Sequence, residues 1–385
     1  MDFENNINKM KTIYFLHGMA FFSPVVVLFW LANGLNMAKV MLLQSIYSIF
    51  IVAFQFPTGY FADVYGRKMS IFLGNLLYFL GIFVYSIGNN FIQFAIAEIL
   101  LAIGFSFFSG ADSALIYESL MDLKREKEYK KVLGNLMFYS SIAAIIGNVV
   151  GGFIGKINLR LTLYAILPFL LISVIISLML KEPKKKQKPK KESIFHDLKN
   201  TMKNKNVLFI LIYFSLLGTL IGGVLWFYQP YFKICGIDVA YFGIIFAMFN
   251  IIYALSAKYA YIIEKKIGIE TSLIIMPVIL SMSYFLMGSF VFYFSFIFAF
   301  LQQFLRGFSG VILSDYLNKL VSSEIRASVL SVKNMLYHLF YASLLPILGY
   351  IADLYSLFFA LNILGILSLF LVFLPLIVKI KYFKR

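Results

Sequence analysis

The 385-residue sequence has a single cysteine, Cys235, which excludes an intrachain disulfide and a cysteine-rich metal centre. It has only three histidines. Two of them, His17 and His338, fall in apolar runs with no thiol or acid pair beside them, so no metal site is expected. Charged residues make up 14%, where about 25% is usual in a soluble domain. There is no glycine-rich nucleotide loop, no nucleophile–base constellation and no segment polar enough for a soluble domain, so neither an enzyme nor a cofactor is expected. No removable signal peptide is visible, because the first apolar run is followed by many others. What the sequence has in abundance is apolar surface. Hydrophobic residues reach 61%, against about 45–50% on average, and 43 Phe and 25 Tyr dominate the aromatics. Mean hydropathy is +0.86. A soluble globule of this size could not cover so much apolar area, so the chain reads as a polytopic membrane protein.

A helix crossing about 30 Å of hydrocarbon needs about 20 mainly apolar residues. Twelve stretches qualify: 13–33, 39–59, 69–88, 91–117, 131–154, 160–180, 207–230, 239–262, 270–289, 291–313, 329–351 and 356–378. They are too long and too continuously apolar for barrel strands. With both termini in the cytoplasm, 28 of the 34 Lys and Arg fall on the cytoplasmic side. Only Lys39, Lys156, Arg160 and Lys233 fall outside, while Arg306 and Lys333 lie within spans. That asymmetry fixes the orientation. The net charge of +16 therefore reflects topology, and no nucleic-acid partner is expected.

The longest polar segment, 181–205, begins KEPKKKQKPKK and separates six spans from six. The expected organisation is a bundle over 1–180, a basic cytoplasmic linker over 181–205 and a bundle over 206–385. The end of the linker has Ile194, Phe195, Leu198 and Met202 on one side of a short amphipathic helix. Sliding one half along the other brings Gly152-Phe-Ile onto Gly349-Tyr-Ile, Glu118 onto Asp315 and Lys68 onto Lys265, the pattern of a duplicated unit.

The loop between the second and third spans reads Gly59-Tyr-Phe-Ala-Asp63-Val-Tyr-Gly66-Arg67-Lys68. It resembles the signature G-x3-D-x2-G-R-K of the major facilitator superfamily. The resemblance covers the whole chain and implies an all-α membrane protein, with twelve transmembrane helices in two six-helix pseudo-repeats. It also implies a cytoplasmic gate in which Asp63 meets the start of span eleven and Arg67 meets Glu118. Gly59 would permit close helix packing and Gly66 a tight turn. The corresponding segment of the second half, around Ser256 to Lys265, lacks the aspartate and the second glycine. Glu118 and Asp315, at the ends of the fourth and tenth spans, read as gate or structural acids.

Gly147-Asn148-Val149-Val150-Gly151-Gly152, in the fifth span, resembles the antiporter motif G-P-x-x-G-G with Asn148 in place of proline. The fourth span contains Glu98 and Asp112 and resembles that of bacterial efflux-type permeases. Fourteen residues separate the two acids, nearly four helical turns, so a continuous helix would put both on one face. A carboxylate desolvated there would exchange protons near neutral pH. Arg306 is the natural counter-charge, and His17 is a further candidate for proton coupling. Phe21, Phe22, Trp30, Tyr47, Phe54, Trp226, Tyr228 and Tyr231 fall in spans one, two and seven, which border the central cavity in the family, and His338 joins them from span eleven. Such a cavity suits apolar or cationic organic molecules.

The resulting expectation is a monomeric, proton-coupled exporter of hydrophobic or cationic organic compounds, working by alternating access in a bacterial inner membrane. A proton-coupled or facilitative metabolite transporter, acting as importer or exchanger, is the alternative. A lipid flippase is also compatible.

Overall fold

The computed structural model describes residues 2–183, 201, 203–322 and 325–378. The amphipathic stretch expected at Ile194 to Met202 lies outside the described residues. Among the described residues every regular element is a helix. Ten segments are long and apolar enough to cross a membrane, with a shorter apolar helix at Leu357–Val372. The chain is an all-α, multi-pass membrane protein. Helices are the required solution, because each pairs its backbone polar groups within the segment and leaves none to the hydrocarbon.

The chain divides into two compact units, Met1–Gln187 with Asp238–Ala247, and Lys188–Ile237 with Met248–Arg385. The first holds α1 (Asp2–Gly18), α2 (Val26–Ala32), α3 (Met37–Tyr65), α4 (Arg67–Ile87), α5 (Phe91–Phe108), α6 (Ala111–Asp122), α7 (Tyr129–Ile157) and α8 (Leu161–Leu178). Helix α4 packs on α5 and α8, α3 on α5, and α1 on α7, α8 and α6. The second holds α9 (Lys205–Gly223), α10 (Tyr228–Ile234), most of α11 (Val239–Ile267), α12 (Ile269–Ser289), α13 (Ile297–Leu320), α14 (Arg326–Leu354) and α15 (Leu357–Val378). There α12 packs on α15 and α13, and α9 on α14 and α13.

The ten long segments correspond to the second through eleventh of the expected spans, with differences that matter for function. The first span is not one helix. α1 stops at Gly18, and residues 19–25 run as turns, with Phe21 N–H bonded to Met19 O at 2.8 Å and Val25 N–H to Phe22 O at 3.0 Å. The cause is visible on α7. A Cβ at Gly147 would lie 2.9 Å from the Met19 carbonyl carbon, and one at Gly151 would lie 2.0 Å from Phe21 O. The motif glycines thus form a groove that seats the unwound backbone of the first span. Gly152 faces elsewhere, toward Ala240 and Gly243 at the start of α11.

The fourth span also breaks. Ser109 and Gly110, the latter at φ 87°, separate α5 from α6. Glu98 and Asp112 therefore do not share the face of one continuous helix, and the expectation built on four unbroken turns fails. The seventh span contains a 3₁₀ turn, Val224–Phe227, between α9 and α10. The tenth begins at Ile297 rather than 291. Gly59 has nothing within 4 Å of a Cβ position among the described residues, so it is not the close-packing glycine its place in the motif suggested.

Gly66 joins α3 to α4 at φ 107°, ψ 158°, a region essentially reserved for glycine. Gly268 does the same between α11 and α12 at φ 79°, ψ 164°. The helices on either side match in length, 29 residues for α3 and α11 and 21 for α4 and α12. Gly268 thus holds in the second unit the conformation that Gly66 holds in the first, at a position the pairing of Lys68 with Lys265 does not align.

Candidate functional site

Three sets of side chains stand out. The first is the charged network at the basic, cytoplasmic face of the first unit. Arg67 Nη1 bonds Asp63 Oδ1 at 2.7 Å, one helical turn back, and Arg67 Nε reaches Glu118 Oε1 at 3.4 Å. The Arg67–Glu118 approach matches the expected pairing. A third acid joins them. Glu182 accepts from the backbone N–H of Arg67 at 2.7 Å and of Lys68 at 2.8 Å, capping α4. Gly66 is what admits it, since a Cβ there would lie 2.7 Å from the Glu182 carboxyl carbon. The chain reaches this position because Asn6, fully buried, brackets the backbone of Lys181 with two 2.9 Å hydrogen bonds. Asp315 belongs to the second unit. It pairs with Lys319 at 2.5 Å, exposed, along α13.

The second set surrounds Glu98, which is 4% exposed. Gln44 Nε2 donates to its Oε1 at 2.5 Å and Tyr85 OH donates to the same oxygen at 2.7 Å. Trp30, buried, lies beside Tyr85 with ring centroids 5.9 Å apart. Among the described residues no cation pairs with this carboxyl, and burying an acid without a counter-charge is costly. Asp112 differs. Its Oδ1 accepts from the backbone N–H of Gly110 at 3.0 Å and of Ser113 at 2.6 Å, and Tyr14 OH donates to Oδ2. It is an anchoring carboxylate at the start of α6, where the helix dipole favours it. His17 bonds Ser173 Oγ at 3.1 Å and stacks on Tyr78 and Phe108, a polar contact within the bundle.

The third set lines a cavity of about 240 Å³ in the second unit. Gly218, Ile221 and Gly222 of α9 form one wall, with Leu225 and Tyr228 following. Gln303 and Arg306 come from α13, and Tyr337 and Tyr341 from α14. Tyr228 OH donates to Gln302 Oε1 and accepts from Gln303 Nε2 at 3.1 Å. Tyr341 OH accepts from Trp226 Nε1 at 2.7 Å. Tyr337 and Tyr341 stack, with centroids 5.4 Å apart. The Arg306 guanidinium lies 5.0 Å from the Tyr253 ring. The cavity is thus polar and aromatic, with fixed hydrogen-bonding groups and one cation.

Of the aromatic cavity candidates, Tyr228 lines this site, Trp226 holds the hydroxyl of its Tyr341, and His338 makes an edge contact with Tyr337 at 5.0 Å. Tyr231 is fully buried, its OH bonded to Phe290 O at 3.0 Å. Phe21 packs edge-on against Phe169 in the core. Phe54 stacks on Phe50, and Phe22 and Tyr47 are half-buried. Sequence reasoning missed Glu182, Gln44, Tyr85, Tyr337 and Tyr341. The amides Gln302 and Gln303 beside Arg306 in an apolar run were the available signal for the cavity.

The sequence profile of the Major Facilitator Superfamily matches residues 12–339. The chain belongs to that superfamily. Among solved structures it is similar to the nucleoside transporter NupG, at TM-score 0.81 and 17% identity over 99% of this chain and 100% of that one. It is also similar to a bacterial homologue of the human lysosomal transporter Spinster, at TM-score 0.73 and 15% identity, covering 99% and 96%. The D-xylose–proton symporter gives TM-score 0.72 and 14% identity, covering 100% and 98%. No curated protein sequence matches the chain. Membership of this family makes the protein a membrane transporter and not an enzyme.

The expectation of an exporter of hydrophobic or cationic drug-like compounds is overturned. The similar structures include a nucleoside transporter and a sugar–proton symporter. The cavity carries an arginine, which repels cations and whose N–H donors an apolar substrate would leave unsatisfied. The antiporter-like glycines of α7 seat the unwound first span, so they carry no argument for efflux.

Proposed function

We propose that the protein is a secondary transporter that moves a small polar metabolite across a bacterial inner membrane by alternating access. The observation that carries this reading is the cavity of the second unit, with Gln303, Arg306 and Tyr337 beside it. Its size and mixed lining fit one small molecule held by a few oriented polar groups. The nucleoside and sugar–proton transporters of similar fold lend support to a metabolite substrate.

In this reading the twelve spans form two six-helix bundles, 1–180 and 206–385, joined by the basic linker and related by duplication. The repeated glycine junctions Gly66 and Gly268 support that relation. The network of Asp63, Arg67, Glu118 and Glu182 stabilises one of two alternating states, and a substrate shifts the states only through differential affinity. Glu98 is the proton-binding group. It is buried, it is held by neutral Gln44 and Tyr85, and it lacks a counter-ion among the described residues. Asp112 anchors α6 through the N–H groups of Gly110 and Ser113 and the Tyr14 hydroxyl.

The test is uptake by proteoliposomes loaded with a polar metabolite pool, with and without an imposed pH gradient. Wild-type protein should accumulate a metabolite under the gradient. Glu98→Gln should lose the gradient dependence while keeping exchange at equal pH, and Asp112→Asn should keep the gradient dependence if it folds. Movement of tetraphenylphosphonium with no metabolite moved at all would sink the proposal.

A further inference from the structure

The ionisable groups of the second unit are sorted by sign. Its described acids, Glu264, Glu270, Asp315 and Asp353, all lie in the first or last two turns of their helices. The groups deeper in the helices are basic: Lys258, Arg306, Lys333 and His338. Lys333 is two turns into α14 and its ammonium lies 4.6 Å from the Phe214 ring. Arg306 is the basic group that reaches the cavity.

Among the described residues no carboxylate lies within ion-pair distance of Arg306, and its guanidinium lies against the face of Tyr253. A ring face attracts the cation but takes none of its five in-plane N–H donors. Intramembrane arginines are costly and are normally paired, so an open fork at a cavity wall is a receptor for an anion. The other polar groups there are largely committed. Tyr228 and Tyr341 spend their hydroxyls on Gln302, Gln303, Trp226 and the Gly222 carbonyl. They offer ring faces rather than hydrogen bonds.

We infer that this cavity takes a monocyclic aromatic carboxylate, its carboxylate on the Arg306 guanidinium and its ring against Tyr337 and Tyr341. The inference rests on the reading of the cavity as the substrate site. Three features set the class. One guanidinium balances one negative charge, so a carboxylate fits where a phosphate monoester would leave charge uncompensated. The volume of about 240 Å³ is below the usual range for larger ligands and admits a single ring. The stacked tyrosines, 5.4 Å apart, present an aromatic face. Gly222 keeps that face in place, because a Cβ there would lie 2.9 Å from Tyr337 OH.

The test is equilibrium binding of radiolabelled nicotinate and benzoate to the full-length protein in lipid nanodiscs, competed by nicotinamide, benzamide, uridine, D-xylose and inorganic phosphate. Each carboxylate should bind at least about 30-fold tighter than its amide, a comparison that needs no variant. Arg306→Gln should weaken carboxylate binding about 100-fold and Arg306→Lys about 10-fold, because an ammonium keeps the charge and loses the fork. Amides binding as well as acids would overturn the inference. So would failure of both carboxylates to bind a protein with a cooperative melting transition. Tight binding of uridine or D-xylose that Arg306→Gln leaves unchanged would refute the anion class and leave metabolite transport standing. Binding of tetraphenylphosphonium alone would remove both.

Discussion

Gly66 and Gly268 provide a matched pair in which one backbone conformation occurs with and without a side chain packed over it. Both lie in the extended positive-φ region, where a Cβ is strained at a cost of about 1–3 kcal/mol. At Gly268 a Cβ would meet nothing within 4 Å, so Gly268→Ala should cost the backbone term alone. At Gly66 the same Cβ would lie 2.7 Å from the Glu182 carboxyl carbon. The carboxylate must leave, and with it go the 2.7 and 2.8 Å bonds to the N–H groups of Arg67 and Lys68. A lost cap costs about 1 kcal/mol more. Gly66→Ala should therefore destabilise by about 2–4 kcal/mol, and Gly268→Ala by about 1–3 kcal/mol. Thermal unfolding of the purified protein in detergent measures the difference. Glu182→Ala should lower stability in the wild type but add almost nothing on the Gly66→Ala background, since both remove the same interaction. Equal losses from the two alanine variants, or full additivity with Glu182→Ala, would show that Glu182 does not hold α4.

Two further outcomes follow from the first unit. Gly151→Ala should destabilise by about 1–3 kcal/mol through overpacking against the Phe21 carbonyl. Gly134→Ala, on the same helix with open space around it, should stabilise by about 0.5–1 kcal/mol, and melting temperatures of opposite sign check the pair. Lys156 bonds Asp238 at 2.9 Å and, with the N–H of Ala240, holds that carboxyl below its usual range. A depressed acid contributes above its unfolded pKa and loses the contribution as pH falls through its folded value. The stability difference between wild type and Asp238→Asn should thus be constant from neutral pH down to the ordinary carboxylate range and vanish below it. A difference that persisted in acid would assign it to something other than the ion pair.

The sequence by itself determined that the chain is helical, multi-pass and a member of its superfamily. Those properties depend on local quantities: about 20 apolar residues per span, basic residues between them, and five motif residues in one short loop. The resemblance that the motif carries also implied that Arg67 meets Glu118, and the two approach to 3.4 Å. The tertiary structure decided the rest. The break at residues 19–25 is invisible in an apolar run, since its cause is the groove of Gly147 and Gly151 on a helix distant in sequence. Asp112 and Glu98 read as equivalent acids until Gly110 and Tyr14 engage one and Gln44 and Tyr85 the other. Tyr337 and Tyr341 are two tyrosines among 25 until α9, α13 and α14 converge on Arg306. Hydropathy fixes which segments enter the membrane, but it is blind to which helix face meets which neighbour. Side-chain packing and hydrogen bonding settle that choice, and with it the site.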